Sequence, residues 1–482
     1  MIIVQQGLKI IKFRDIADGN LIYTNDKNGF VKESVVTKKA LRVLKAGDVL
    51  ITSAAHSGEN IGKKTAYVRT LPDKLPVIYF TGELLNIRSI HFQKWIYYFF
   101  CSDEGFKEIQ KAVKGVHLTS GRAALMQIPL APLNEQKRIV EKLDAILPKV
   151  KNAKARLEKI PIIFKKFRQS VLSAACSGRL TEDWREKNNE VAAVDLSKLN
   201  KKREELQRQH SSKKGRKNFN YKMPFEISLG DKTKGIDELF ELPDTWTWVT
   251  LDQVVWSISD GPHFSPQYVD KNEGVAFISS RNVKYNVIDF DDAKYISEEN
   301  YQEFIKRGKP ELNDVLLTKG GTTGIAHCVL VEKEFAVWVH VALLKVIKEY
   351  VDPKYLRDVL SADFVYRQSQ DQTHGIGNQD LGLTRMIYMA LTLPPFEEQQ
   401  EIVRRVEKLF ALADTLEAKY KKAIQRVEKI EQSVLAKAFK GELADPNPND
   451  EPAAHLLNRI LEEKAKLESS KKTRSKRPAT AL

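Results

Sequence analysis

The chain carries one stretch twice, and the two copies keep a fixed spacing. NEQKRIVEKL at 134–143 returns as EEQQEIVRRV at 397–406. Around it Pro132 matches Pro395, Glu135 matches Glu398, Gln136 matches Gln399, Ser170-Val171-Leu172 matches Ser433-Val434-Leu435 and Gly178 matches Gly441, every pair 263 residues apart. An offset that survives from Pro132 to Gly178 without an insertion is what duplication of a segment of structurally fixed length leaves behind, so the repeat governs every later step.

Within each copy apolar residues recur at alternating steps of four and three. The first gives Ile139, Leu143, Ile146, Val150, Ala153, Leu157, Ile160, Phe164, Phe167 and Val171; the second gives Ile402, Val406, Leu409, Ala413, Leu416, Tyr420, Ala423, Val427, Ile430 and Val434. A period near 3.5, held over about four heptads, describes a partner-helix seam, because it keeps one stripe facing a second helix. Pro148 and Pro161 interrupt the first copy, where a mid-helix proline costs about 3 kcal/mol, so a kink or short break is expected there. Gly178 and Gly441 suit left-handed helix C-caps. Residues 139 to 171 would rise about 48 Å at 1.5 Å per residue. The chain leaves one helix, makes another domain and enters the second helix, which predicts an antiparallel pair.

The segments ahead of each helix correspond more loosely. GLKIIKFR at 7–14 aligns with GVAFISSR at 274–281, LKAGDVLIT with ELNDVLLT, and Gly58 to Gly62 with Gly320 to Gly324. Nine residues separate Asp48 from Gly58 but only five separate Asp314 from Gly320. Scaffold words kept while loop lengths vary are expected of two domains that bind different targets. The runs VAFIS, VWVHVALLKVI and TAYV read as strands, with helices near 298–306 and 352–369, making each an α+β domain. LPDTWTWVTLDQVV, from Leu242, has no counterpart before Gly7, so the first domain reads as lacking about thirty opening residues of the repeat.

These boundaries give a first domain at 1–132, a first spacer helix at 133–180, a charged linker at 181–241, a second domain at 242–395, a second spacer helix at 396–441, and a C-terminal helix with a basic tail at 442–482. The 78 Lys+Arg exceed the 63 Asp+Glu, which points to a polyanionic partner. The basic blocks at 201–217 and 464–482 read as solvated, disordered chain, or else as segments that graze phosphates. Cys101, Cys176 and Cys328 form no CxxC pair, so neither a disulfide framework nor a cysteine zinc site is indicated. No signal sequence and no run of about 18 apolar residues is present, and a cytoplasmic protein is expected.

Taken together, the duplicated EQ-x-x-IV helix, its APLNEQ and PPFEEQ lead-ins, FRQSVLSAACSGRLTEDWRE after the first helix and LPDTWTWVTLDQ resemble the specificity subunit of Type I restriction-modification enzymes over almost the whole chain. The resemblance implies two target-recognition domains, each a mixed β-sheet with helices, separated by two long antiparallel helices forming a coiled coil. It implies a non-catalytic subunit in which each domain reads one half of a split double-stranded DNA site. Two methyltransferase subunits and two restriction (translocase) subunits would be its partners. They, and not this chain, would use S-adenosylmethionine, ATP and Mg, and no membrane is involved. Helices of about 48 Å would place half-site centres no more than roughly 14 base pairs apart. The amino terminus departs from the family pattern.

Candidate DNA contacts are basic or amide residues on domain loops: Lys12, Arg14, Lys63 and Lys64 in the first domain, and Arg281, Lys284, Lys319, Arg367 and Asn378 in the second. Arginine can grip guanine bidentately and asparagine adenine, while lysine chiefly anchors phosphates. Other motifs fall short. LPPF at 393–396 puts Leu393 where an amino-methyltransferase needs a polar side chain, and GENIGKK has one residue too few between its glycines for a phosphate loop. No PD with a following (D/E)xK, and no HExxH, is present, and His263, His327 and His374 read as core or loop residues. No catalytic or metal-ligating residue is assigned. The alternatives are a stand-alone DNA methyltransferase or nuclease with an unrecognised centre, or a coiled-coil DNA scaffold without sequence preference.

Overall fold

A computed structural model describes residues 7–23, 29–73, 75, 77–89, 91–213, 239–375 and 379–475. The chain divides into two compact units, Met1–Lys159 with Tyr420–Leu482, and Ile160–Lys419. Strands β1 (Leu8–Ile11), β2 (Phe30–Val31), β3 (Arg42–Val43), β4 (Val49–Thr52), β5 (Thr65–Tyr67), β6 (Ile78–Phe80) and β7 (Leu84–Ile87) precede helices α1 (Gln93–Cys101), α2 (Asp103–Ala112) and α3 (Leu133–Leu157). The second unit opens with α4 (Ile160–Cys176), α5 (Glu182–Lys187) and α6 (Leu196–Lys213). Its domain follows as β8 (Thr247–Thr250), β9 (Val255–Asp260), β10 (Tyr268–Val269), β11 (Val275–Ile278), β12 (Lys294–Ile296), α7 (Glu298–Phe304), β13 (Val315–Thr318), β14 (Ala326–Cys328), β15 (Phe335–Val337), β16 (Val341–Val346), α8 (Pro353–Ser361), α9 (Asp363–Asp371) and β17 (Ala390–Leu393). Helix α10 (Phe396–Phe439) runs from the second unit into the first, and α11 (Ala453–Ser475) ends the described chain.

The two domains share a common core, β2-β1-β6 with β5-β4-β7 in the first and β12-β11-β15 with β14-β13-β16 in the second, and differ at the sheet edges. The first has sheets ordered β2-β1-β6-β3 and β5-β4-β7; the second has β10-β12-β11-β15 and β9-β16-β13-β14, with β8 on β17. Each contains one parallel pair in the same register, Ile11 beside Phe80 and Ile278 beside Val337. The duplicated Asp-Val-Leu words owe their persistence to a shared turn. Gly47 and Asn313, with φ of 87° and 67°, bend the chain into β4 and β13. The aspartate that follows accepts the backbone N–H three residues earlier, from Lys45 at 2.8 Å to Asp48 and from Glu311 at 2.7 Å to Asp314. It also pairs with a cation from the neighbouring strand region, Arg88 just past β7 at 2.5 Å and Lys345 within β16 at 2.6 Å. Both strands are buried throughout because helices and the other sheet cover their two faces, which is why they read as unbroken apolar runs.

Two sequence readings change. VWVHVALLKVI is not one strand: Trp338–His340 turn the chain out of β15 and into β16, which lie in different sheets. The polar linker is helical over α6 and packs on the second domain. Leu199 is fully buried, Arg203 Nε donates to Val255 O at 3.1 Å and its guanidinium pairs with Asp252 at 2.8 Å, and Gln207 donates to Trp256 O at 3.0 Å. One face of a charged helix is enough to anchor it. The basic stretch is thus ordered to Lys213, and its residues 214–217 lie outside the described residues; the tail continues α11 to Ser475.

The repeat builds one helical junction in each unit. Gln136 Nε2 folds back onto Ala131 O at 2.7 Å, and Gln399 Nε2 onto Pro394 O at 2.9 Å, fixing how the long helix leaves the last strand segment. Glu398, 1% exposed, accepts from Thr181 Oγ1 at 2.6 Å, Arg185 Nη1 at 2.5 Å and Trp246 Nε1 at 2.8 Å. The pairing is antiparallel in both units. In the second, Arg168 meets Asp414 and Arg185 meets Glu398; in the first, Arg138 meets Asp445 O and Lys142 meets Leu443 O. Gly178 and Gly441 take φ of 77° and 76°, as caps require.

The chain breaks between α3 and α4 at residues 158–159, so Pro161 sits in the first turn of a new helix where its missing N–H is not needed, while Pro148 stays inside α3. The second copy has no proline and is one helix of 44 residues. The seam is correspondingly uneven. Ile139, Leu143, Ile402 and Val406 are buried, packed into the domain cores as much as onto a helix; Ile146, Leu157, Phe164, Leu409 and Val427 are half-buried. Leu416 and Ile430 are 43% and 44% exposed, a departure from the continuous stripe expected of a seam.

Removing Glu398 leaves a guanidinium and an indole N–H without their buried acceptor, so Glu398→Ala should cost roughly 3 kcal/mol in urea unfolding, against under about 1 kcal/mol for the half-exposed Glu135→Ala. Arg404 first and Arg405 second hold the Glu401 carboxyl at about 2, below its ordinary 4.5. A depressed carboxyl stabilises the fold above its unfolded value, so this contribution is complete above about pH 4.5 and disappears towards pH 2. Acid titration of Glu401→Gln should show a shallower loss of stability across that window than the parent.

Candidate nucleic-acid interface

In the second domain four strands end at one place. The segments after β9, β11, β13 and β15 interlock there through backbone bonds: Trp338 N to Ile278 O at 2.9 Å, Lys319 N to His340 O at 2.9 Å, Leu381 N to Lys319 O at 2.7 Å and Gly321 N to Gln379 O at 3.2 Å. Gly261 is wedged so tightly that a Cβ would lie 1.8 Å from Val337 O. Beneath the loops Asp260, 5% exposed, accepts from Arg307 Nη2 at 2.7 Å and lies 3.5 Å from both Lys319 Nζ and His263 Nε2. The first domain repeats this wiring: Thr81 N to Ile11 O at 3.0 Å, Ser53 N to Glu83 O at 2.8 Å, Leu118 N to Ser53 O at 2.8 Å. The glycine turns match too, with Gly62 N on Thr52 O and Gly324 N on Thr318 O, at 2.9 and 2.8 Å. Identical backbone connections thus carry different side chains.

The structure sorts the sequence candidates. Arg14 lies exposed on the turn after β1, and Lys64 reaches the same turn, its Nζ 3.4 Å from Phe13 O and 5.6 Å from the centre of the half-exposed Phe13 ring. Lys12 is half-buried, its backbone N–H donating to Asp15 at 2.8 Å. Lys63 turns towards Asn60, at 2.9 Å, and lines a cleft of about 740 Å³ that also holds Arg69, Lys151 and Lys154. Arg281 and Lys284 are exposed on the turn after β11. Lys319 is 5% exposed and held by Asp380 at 3.0 Å as well as Asp260, so it positions loops from below instead of projecting from them. Arg367 is exposed on α9 and paired with Asp363. Asn378 lies outside the described residues.

Sequence reading missed the aromatic and histidine content of this end. Phe264 is 60% exposed, and Trp338 stacks on His340 with ring centres 4.9 Å apart. Burial, with Lys319 adding to it, pushes the His340 imidazole below its ordinary range, which favours the neutral ring that can both donate and accept at a base edge. The signal available was the Trp-Val-His run at a strand end. His327 is buried in the core, Nδ1 3.1 Å from Tyr285 O, and His263 and His374 are exposed on loops. Among the described residues no cluster of His, Cys, Asp or Glu could hold a metal, and no helix is long and apolar enough to cross a membrane.

A loop-bearing end built twice on one scaffold defines a protein with two recognition heads. Known proteins give that class a family. The model of the Type I restriction modification DNA specificity domain matches residues 2–161 and 243–426. The chain is 32% identical over 371 residues to the type I restriction enzyme EcoBI specificity subunit of Escherichia coli, covering 75% of this chain and 69% of the relative. It is 28% identical over 495 residues to the EcoKI specificity subunit of Escherichia coli strain K12, covering 97% and 91%. In fold it is similar to a chain of a type I R-M system complex, with TM-score 0.61 at 15% identity over 90% of this chain and 92% of that one. It is also similar to the HsdS subunit from Thermoanaerobacter tengcongensis, with TM-score 0.50 at 16% identity over 90% and 91%. The chain belongs to the family of type I restriction enzyme specificity subunits, which recognise DNA sequence and are not themselves the catalytic components.

Two cations predicted together from sequence should behave differently. Lys319→Met removes the buried cation shared by Asp260 and Asp380, while Arg307 still holds Asp260, and should cost roughly 1–2 kcal/mol in chemical unfolding, whereas Arg281→Ala should stay within about 0.5 kcal/mol of the parent while weakening DNA binding.

Proposed function

We propose that the chain reads a bipartite double-stranded DNA site, one half with each domain's interlocked loop end. Type I specificity subunits act with DNA and partner subunits. Here two methyltransferase subunits would methylate adenine N6 within the site, and two restriction subunits would add ATP-dependent restriction. S-adenosylmethionine, ATP and Mg belong to those partners in this reading, and the working compartment is the cytoplasm. The observation that carries the proposal is the repetition of one backbone wiring beneath different tips, Arg14 with Lys64 on one and Arg281, Lys284, Trp338 and His340 on the other. A scaffold reused with altered contact residues is how two different half-sites can be read by one fold. The net charge of +15 adds the sequence-independent attraction to phosphates.

Exchanging residues 242–395 for the corresponding domain of a relative, with both partner subunits present, should change one half of the methylated sequence and leave the other half as it was. Methylome sequencing reads this directly. An unaltered motif would remove the second domain from recognition.

A further inference from the structure

The two helical repeats meet at matched positions, and there their charges are exchanged. In the second unit the Arg168 guanidinium of α4 lies 5.1 Å from the centre of the Phe410 ring of α10 and pairs with Asp414 at 2.8 Å and Glu417 at 3.2 Å. The 263-residue offset carries Arg168 to Glu431, and carries Asp414 and Glu417 back to Lys151 and Lys154. Those three line one cleft of the first unit, so the same juxtaposition recurs there with every sign reversed. A further position behaves alike: Arg138 of α3 grips Asp450 through two nitrogens, at 2.6 and 3.1 Å, and its match in the second repeat is Glu401. Backbone contacts show that the offset marks equivalent places, since Lys142 donates to Leu443 O at 3.0 Å and its match Arg405 to Leu180 O at 2.8 Å.

Sign follows the repeat. Arg138, Lys151, Lys154 and Arg168 of the first are all cationic, and Glu401, Asp414, Glu417 and Glu431 of the second are all acidic. Two first repeats would therefore set Arg168 against Lys151 and Lys154, and two second repeats would set Glu431 against Asp414 and Glu417. Other pairs do not discriminate. Arg185 with Glu398 and Arg405 with Asp183 have matches of the same sign, Glu135 and Lys142, so two first repeats could form them as well. Asp18, 3.4 Å from Lys151, belongs to the domain and is the same whichever repeat lies opposite. Each exposed pair is weak alone, and selectivity comes from the difference between attraction and repulsion at the same place. Flanking charges choose the partner of a helical seam in this way.

We infer that the reversed charges are a pairing code by which each repeat accepts the other and refuses its own kind. The apolar stripe and the helix-exit glutamine are common to both copies and would let like repeats join; the code removes that option. A subunit assembled from two like repeats would carry the same domain twice and, on the reading proposed above, would read one half-site twice. The code keeps the two heads different.

Single substitutions in the full chain reproduce each forbidden contact. Glu431→Lys sets a cation against Lys151 and Lys154, as two first repeats would, and Arg168→Glu sets a carboxylate against Asp414 and Glu417, as two second repeats would. Urea midpoints are measured at 0.1 M and 1 M NaCl, where charges are screened beyond about 10 Å and about 3 Å. At low salt each reversal should fall below its neutral control, Glu431→Gln or Arg168→Gln. Adding Lys151→Glu with Lys154→Glu to the first, or Asp414→Lys with Glu417→Lys to the second, should return the midpoint at least to that control, and the gap should close at high salt. A reversal no worse than its neutral control at either site, a reversed site that its compensating changes do not recover, or a gap that persists at 1 M NaCl would overturn the code. No DNA enters the measurement, so it can fail while the DNA reading stands, and the converse holds.

Discussion

A glutamine side chain folded onto the carbonyl five residues before it sets the exit of each long helix, in Gln136 on Ala131 and Gln399 on Pro394. Without that bond the peptide leaving the last strand segment would keep an unsatisfied carbonyl at a buried corner, and the helix could start in more than one direction. The preceding glutamate adds a second restraint where its partners exist. Glu398 draws together Thr181, Arg185 and Trp246, which come from the end of the other repeat and from the opening of the second domain. In the second unit the dipeptide therefore fixes a strand, two helices and a domain edge at a single point, whereas in the first the glutamine bond alone recurs.

Above that frame the domains separate what must stay from what can change. The turn aspartates Asp48 and Asp314, their cations Arg88 and Lys345, and the strand-end backbone bonds recur in both units. The side chains that emerge from the strand-end loops do not. Such a division lets contact residues vary without disturbing the core, because the loops are held by backbone atoms and by ion pairs below them, as Asp260 holds Arg307 and Lys319. Recognition chemistry then becomes a property of loop tips and stability a property of the wiring.

Much of this was legible in the sequence because repetition is a pattern that survives ignorance of contacts. The constant offset gave the helices, and the shared Asp-Val-Leu words gave corresponding strands. Burial was harder to see. Lys319 reads as a loop cation, yet two carboxylates distant in sequence, Asp260 and Asp380, draw it inside. The run VWVHVALLKVI hides a turn because no glycine or proline marks it. Helix α6 reads as solvent-facing chain because its composition is charged, while its anchoring depends on Leu199 and Arg203 finding β9, a tertiary event that local composition does not encode.

The unbroken helix Phe396–Phe439 behaves as a screw as well as a strut. Each residue added to it would lengthen it by about 1.5 Å and rotate everything beyond by about 100°. Changes of length that keep both ends seated are therefore confined to near-integral turns, in increments of roughly 5 Å. The loops at Gly58 and Gly320 carry no such constraint, and between the two copies their lead-in lengths differ.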